Sequence, residues 1–117
     1  MLLLIMCCIC ILGGGCDESP NSWPRESFTL KTWGESPKEK RYVYYNDLAN
    51  SKKLDGLTKK DVLSLLGQPD YTSPDSKYIN YTLKYAEKGA HSLNAIYFLE
   101  IIFDAQGRVS KYYVRAD

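Results

Sequence analysis

The stretch GLTKKDVLSLLGQPD, residues 56–70, decides the fold. Thr58 stands just before an apolar run with Asp61 three residues on, the spacing at which a cap hydroxyl and an acid satisfy each other's backbone amides. Leu57, one residue before the cap, is placed to meet Val62 as a hydrophobic staple. Val62, Leu65 and Leu66 then fall on one helical face. Gly67 is expected to close the helix in the left-handed conformation, and Pro69 bars its continuation. A helix this short is marginal alone. Its apolar face needs a second layer.

The chain downstream supplies that layer by alternation. KYINYTLKY, residues 77–85, puts Ile79, Tyr81, Leu83 and Tyr85 on one side and Tyr78, Asn80, Thr82 and Lys84 on the other. After the turn-like EKGAHS, the run NAIYFLEIIF is apolar on both sides, the pattern of a central strand. Asp104-Ala105-Gln106-Gly107 supplies a hairpin turn, and RVSKYYVR returns as a third strand.

Upstream, Ser36-Pro37-Lys38-Glu39 has the form of a helix start, with Ser36 as cap, Pro37 at the first helical position and Glu39 as the reciprocating acid. Tyr42, Tyr45, Leu48 and Ala49 continue it at helical spacing, while an alternating strand through RYVYY is the competing reading. FTLKTWGE, residues 28–35, carries Phe28 and Trp33 and is expected to pack on the domain edge. DESPNSWPRE before it is rich in Pro, Ser and Asn and reads as a tether. The expected fold class is α+β, with two N-terminal helices packed on a three-stranded antiparallel β-meander in two layers.

The composition fits one small globular domain: 117 residues, 44% hydrophobic and 25% charged. With a net charge of +1 and lysines interspersed with acids, there is no basic stripe to neutralise a run of phosphates, so nucleic acid is not an expected partner. The ten tyrosines suit a small core or a recognition face. All four cysteines lie in the first sixteen residues, which leaves no disulfide to staple the domain. Met1 to Leu12 is apolar, too short to cross a bilayer and of the length of a signal-peptide core. A CC-x-C run at Cys7, Cys8 and Cys10 lacks the second ligand pair of a zinc site.

Leu12-Gly13-Gly14-Gly15-Cys16 resembles a bacterial lipobox. That resemblance implies cleavage before Cys16, whose sulfur carries acyl chains; an uncleaved or merely secretory leader is the alternative. Two or more chains, at about 0.8 kcal/mol per buried methylene, anchor stably where one does not. The expected organisation is therefore a signal peptide at 1–15, a lipidated cysteine and tether at 16–27, and the α+β domain at 28–117. The helical motif Gly56, Leu57, Thr58, Asp61, Val62, Leu66, Gly67 and Pro69 resembles the signature of the SmpA/OmlA (BamE-like) lipoprotein domain family. The alternating Leu99, Ile101, Phe103, Gly107 and Val109 are similar to that family's later hairpin, and the likeness covers roughly residues 42–114. It implies a two-layer fold shared with beta-lactamase-inhibitor-like proteins and a non-catalytic role in the bacterial envelope, outer-membrane protein assembly being the best known. The implied partners are the membrane, through Cys16, and an envelope protein at the inner or outer membrane. The implied setting is the periplasmic side.

No catalytic constellation is visible. His91, the one histidine, lies in a polar turn without a nucleophile beside it. Asp61 is explained as a cap, and Asp70 and Asp75 flank a Ser-Pro turn. No cofactor, metal or small-molecule substrate is expected. A binding face is easier to argue, because two short helices cover only one side of a sheet. Glu100 is costly to bury unpaired, so its side is assigned to the open face. Ile96, Phe98 and Ile102, with Tyr78 from the neighbouring strand, then form an apolar patch for a protein partner. The competing arrangement folds residues 28–33 over that patch and completes a core. Two functions follow: an envelope scaffold or accessory binding module, or an inhibitor that presses its sheet face into a secreted hydrolase.

Overall fold

The computed structural model describes residues 20–85 and 96–116. In chain order it has a 3₁₀ turn at Pro20–Ser22, helix α1 at Leu30–Glu35, a 3₁₀ segment at Lys38–Tyr44, and helix α2 at Tyr45–Asn50. Helix α3 at Lys59–Leu66 leads into strands β1 (Tyr71–Thr72), β2 (Tyr78–Tyr85), β3 (Ile96–Phe103) and β4 (Val109–Ala116). The strands form one antiparallel sheet in the order β1-β2-β3-β4. The class is α+β with helices on a sheet, as expected, but the sheet has four strands rather than three. The extra strand arises where Asp70 N donates to Asn80 O at 2.8 Å and Ser73 N to Tyr78 O at 2.9 Å, which zips the chain after Pro69 onto β2.

Helix α3 forms as its sequence dictates. The Thr58 hydroxyl accepts from Asp61 N at 3.2 Å, and the Asp61 carboxylate accepts from Thr58 N at 3.4 Å. Val62 and Leu66 are buried, while Leu65 stays half-exposed at the rim. Gly67 ends the helix at φ +84° and ψ −163°, which is not the left-handed helical conformation expected but the mirror-β region, equally open to glycine. Its carbonyl accepts from the Tyr81 hydroxyl at 2.7 Å, tying the helix end to the middle of β2.

Four upstream expectations are corrected. Ser36 does not cap the following helix; its N–H and hydroxyl both bond Thr32 O, so it closes α1 instead. The chain after Pro37 enters a 3₁₀ segment and becomes α-helical only at Tyr45. Residues 28–35 are more than an edge: Thr29 and Thr32 cap each other to start α1, and this helix drives Trp33 to 1% exposure. The Trp33 indole donates to Leu66 O at 3.0 Å and meets the Tyr81 ring at 6.3 Å, with the Arg41 guanidinium 4.7 Å over its own ring. Residues 20–27, expected within the tether, lie against the domain. Trp23 is buried among Tyr42, Tyr45 and Tyr97 in edge-to-face contacts at 5.5, 6.2 and 5.6 Å, because four rings in a small core hold more apolar area than a solvated linker.

Alternation along β2 holds as far as Thr82. A register shift between Thr82 and Lys84 then sets Lys84 opposite Tyr97, with its ammonium 4.5 Å over the Tyr42 ring, and leaves Tyr85 exposed rather than buried. The hairpin at Asp104 to Gly107 forms as read: Gly107 N donates to Asp104 O, and the Asp104 carboxylate accepts from Gln106 N and Arg108 N. The turn EKGAHS with His91, the leader and Cys16 lie outside the described residues.

Candidate functional site

Register fixes which side chains share each side of the sheet. Ile79, Tyr81, Leu99 and Ile101 are all fully buried on the side that meets Trp33 and Gly67, so the helices occupy that side. On the opposite side three cross-strand rows stand side by side. Tyr78, Ile102 and Lys111 form one row, Asn80, Glu100 and Tyr113 the next, and Thr82, Phe98 and Arg115 the third.

Glu100 occupies the centre of this array at only 5% exposure, although no described helix lies above it. Its neighbours shelter and pair it. Tyr113 donates its hydroxyl to Glu100 Oε2 at 2.6 Å, and Arg115 donates to Oε1 at 3.0 Å. In its hydrogen-bonding orientation the Asn80 amide adds a third bond, to Oε1 at 3.1 Å. The bond to Glu100 raises the Tyr113 phenol above its ordinary range. A carboxylate held by three donors is a satisfied one, which removes the penalty of burying it and fixes the side chains around it.

The expected patch residues sit around this network. Tyr78, Phe98, Ile102 and Ile96 are each half-buried, and Tyr113 is 39% exposed beside them. At one end a concavity of about 440 Å³ is lined by Asp70, Tyr71, Tyr78, Asn80, Phe98 and Arg115. Tyr71 and Tyr78 meet there at 6.0 Å between ring centroids, forming an aromatic wall opposite the Arg115 guanidinium. Residues 28–33 do not cover this side, because Phe28 and Trp33 are buried on the other. Sequence alternation placed Tyr78, Phe98 and Ile102 on one side of the sheet, as the register does. It did not single out Tyr71, Tyr113 and Arg115, whose placement beside them depends on cross-strand pairing.

Asp70 has more purpose than its turn position implied. Burial works to raise its carboxyl, but the Lys38 ammonium at 2.6 Å and the Thr82 N–H at 2.7 Å outweigh burial and hold it below the ordinary carboxylate range. The carboxylate thereby takes the β2 amide that β1 is too short to reach. Asp75 accepts from the Ser73 hydroxyl and Lys77 N, as a turn residue.

The helical motif residues are structural in their contacts. Gly56, at φ +72°, offers its carbonyl to Arg108; Leu57 offers its own to Val109 N; Leu66 and Gly67 accept from Trp33 and Tyr81. A second groove, about 410 Å³, lies between α1 and α3 with Leu30, Leu57 and Leu65 in its lining. Among the described residues no group of three or more His, Cys, Asp or Glu side chains is placed to hold a metal ion. No described helix is long and apolar enough to cross a membrane. No protein-family model matches the chain, and no curated protein or solved structure does.

Proposed function

We propose that the protein is a non-catalytic lipoprotein of the bacterial cell envelope that docks a partner protein on the open side of its sheet. The observation that carries the reading is the array centred on Glu100. Apolar side chains at Tyr78, Phe98 and Ile102 flank a fully paired carboxylate on a side that the described helices leave bare. Rigid aromatic anchors around a satisfied polar centre make up the fabric of a recognition surface. In this reading Cys16 carries acyl chains, the domain faces the periplasm, and the chain belongs with the SmpA/OmlA proteins, its partner being a component of envelope or outer-membrane protein assembly. Support for the anchor is the Leu-Gly-Gly-Gly-Cys sequence at 12–16. Support for the family is the capped α3 motif, together with the antiparallel hairpin that follows it.

The concavity between Tyr71 and Arg115 favours a second reading, an inhibitor that receives a loop of a secreted hydrolase there. One experiment separates the two. The full-length protein is recovered from the membrane fraction, the mass of its N-terminal peptide is measured, and the proteins crosslinked to it are identified. The proposal expects a doubly or triply acylated Cys16 and membrane assembly components that are lost with Phe98→Asp. A free thiol at Cys16 contradicts the anchor, and a soluble enzyme, inhibited when bound, replaces the first reading with the second.

A further inference from the structure

The surface shared by α1 and α3 carries a ridge and a hollow next to each other. Leu30, in the first turn of α1, is 59% exposed, the highest value among the large apolar side chains described. It does not stand alone. Leu30 and Leu65 line both the groove of about 410 Å³ and a second concavity of about 210 Å³ beside Trp33 and Gly67. Residues that line two neighbouring hollows form the ridge between them. Leu57 adds to the apolar lining of the larger hollow, and Lys53 and Asp61 bring opposite charges to it. Both are exposed, and neither has an ion-pair partner among the described residues. The cap at Thr58 engages Asp61 Oδ2 with a neutral N–H, so the charge is not compensated there.

We propose that a second copy of this chain docks on this surface, the Leu30–Leu65 ridge of each copy lying in the groove of the other about a two-fold axis. The inference goes beyond the docking of a partner on the open side and does not rest on it. Shape and charge together pick the occupant. A two-fold contact needs both halves of its fit on one patch, and here ridge and groove are adjacent. Away from the axis it pairs residue i with j and j with i, so the opposite charges of one groove meet as Lys53 against Asp61 of the second copy, twice. A foreign segment carrying one sign of charge satisfies one of these groups and strands the other. Burying Leu30 in both copies also withdraws the apolar surface that each leaves in water by itself. The contact is small, which makes the pair reversible rather than permanent.

A carbodiimide joins an ammonium to a carboxylate in direct contact, so it reads this pairing. The full chain is prepared in isotopically light and heavy forms, mixed in detergent, freed of detergent by reconstitution into phosphatidylcholine vesicles, and crosslinked. The expected result is Lys53 joined to Asp61 between light and heavy chains. Leu30→Glu leaves the Thr29 cap of α1 in place and is expected to cut this mixed product about tenfold or more. Should that variant unfold, Leu30→Ala shortens the ridge without adding charge and carries the same expectation. Phe98→Asp, on the opposite side of the sheet, is expected to leave the mixed product unchanged. Crosslinks confined to chains of one isotope overturn the proposal. So does a mixed yield that neither Leu30 variant lowers, or its loss with Phe98→Asp in a chain that still folds. Lys53 or Asp61 joined to a different protein in place of a second copy, when native membranes are treated in the same way, also overturns it. A chain without acyl groups is crosslinked in plain buffer, so failure of the lipid reading leaves this test standing.

Discussion

At the scale of single residues, the two tryptophans make opposite demands on the fold. Trp33 is buried with its indole N–H on Leu66 O, whereas the Trp23 Nε1 is buried among tyrosine rings without a hydrogen-bond partner among the described residues. Trp33→Phe strands a helix-end carbonyl, and Trp23→Phe strands nothing. The expected outcome in urea denaturation is that Trp33→Phe is the more destabilising by about 1–3 kcal/mol, the cost of an unmet buried polar group. Titrating side chains give a second test at this scale. The Asp70 carboxyl is held below its ordinary value of 3.8, so its pairing stabilises the fold above that pH and the contribution is lost as pH falls through the lowered value. Asp70→Asn is therefore expected to lower stability at neutral pH, with the two proteins converging in acid. Tyr112 behaves in the opposite sense. Burial first, and then its bond to Asp55, push the phenol from 10.0 up to about 12. Stability from keeping it neutral is complete below pH 10 and is lost as pH rises toward 12, because the unfolded chain ionises first. Tyr112→Phe is expected to flatten that alkaline decline, read as urea midpoints across the range.

Among the elements, α3 and the β3–β4 hairpin were legible because their signals are local. A cap, an acid three residues on and a terminal glycine are all within one turn of the helix they define, and alternation needs only a strand's own residues. Thr58→Ala is expected to cost about 1 kcal/mol through the lost cap. Gly67→Ala should cost more, about 1–3 kcal/mol, through backbone strain alone, since φ +84° with ψ −163° is a region essentially confined to glycine while a methyl there meets no atom within 4 Å. Thermal or urea unfolding of each variant checks both. Helix α1 was hidden because six residues make fewer than two turns and its capping box uses Thr32 where an acid or amide is the usual signal. Ser36-Pro37 mimicked a helix start, but Ser36 was already engaged by Thr32 O. Strand β1 is two exposed residues with no apolar alternation to read; only its bonds to β2 make it a strand. Trp23 and Leu54 join the core from a Pro/Ser-rich stretch and a lysine-rich turn, where composition pointed to solvent. Alternation placed Glu100, Phe98 and Ile102 on one side of the sheet, but the expectation that the cost of burial keeps Glu100 exposed is corrected: it is 5% exposed, and pairing offsets that cost. That pairing was not legible, because Tyr113 and Arg115 reach Glu100 from 13 and 15 residues away.

For the whole molecule, the consequence is a sheet with two unlike sides. One is sealed by three helices and by the N-terminal segment, which Asn46 Nδ2 fastens at Pro20 O and Val43 O at Glu26 N. On the other, among the described residues, side-chain pairing holds the polar centre. Under the proposed lipidation, a lipid on Cys16 would reach the packed domain through only the residues before Pro20, at most about 3.6 Å each, which would hold the domain close to a bilayer rather than at the end of a long spacer. The central claim is that the open side is a surface and not a core, and adjacent residues of β3 test it directly. Leu99 is fully buried under the helices, while Phe98 stands in the opposite row. Urea denaturation of Phe98→Asp and Leu99→Asp in the full-length protein is the measurement. The account predicts that Leu99→Asp abolishes cooperative unfolding, since a charge is driven into an apolar layer. It predicts that Phe98→Asp keeps a single cooperative transition and loses less than about 2 kcal/mol. Loss of the folded state in both would contradict it.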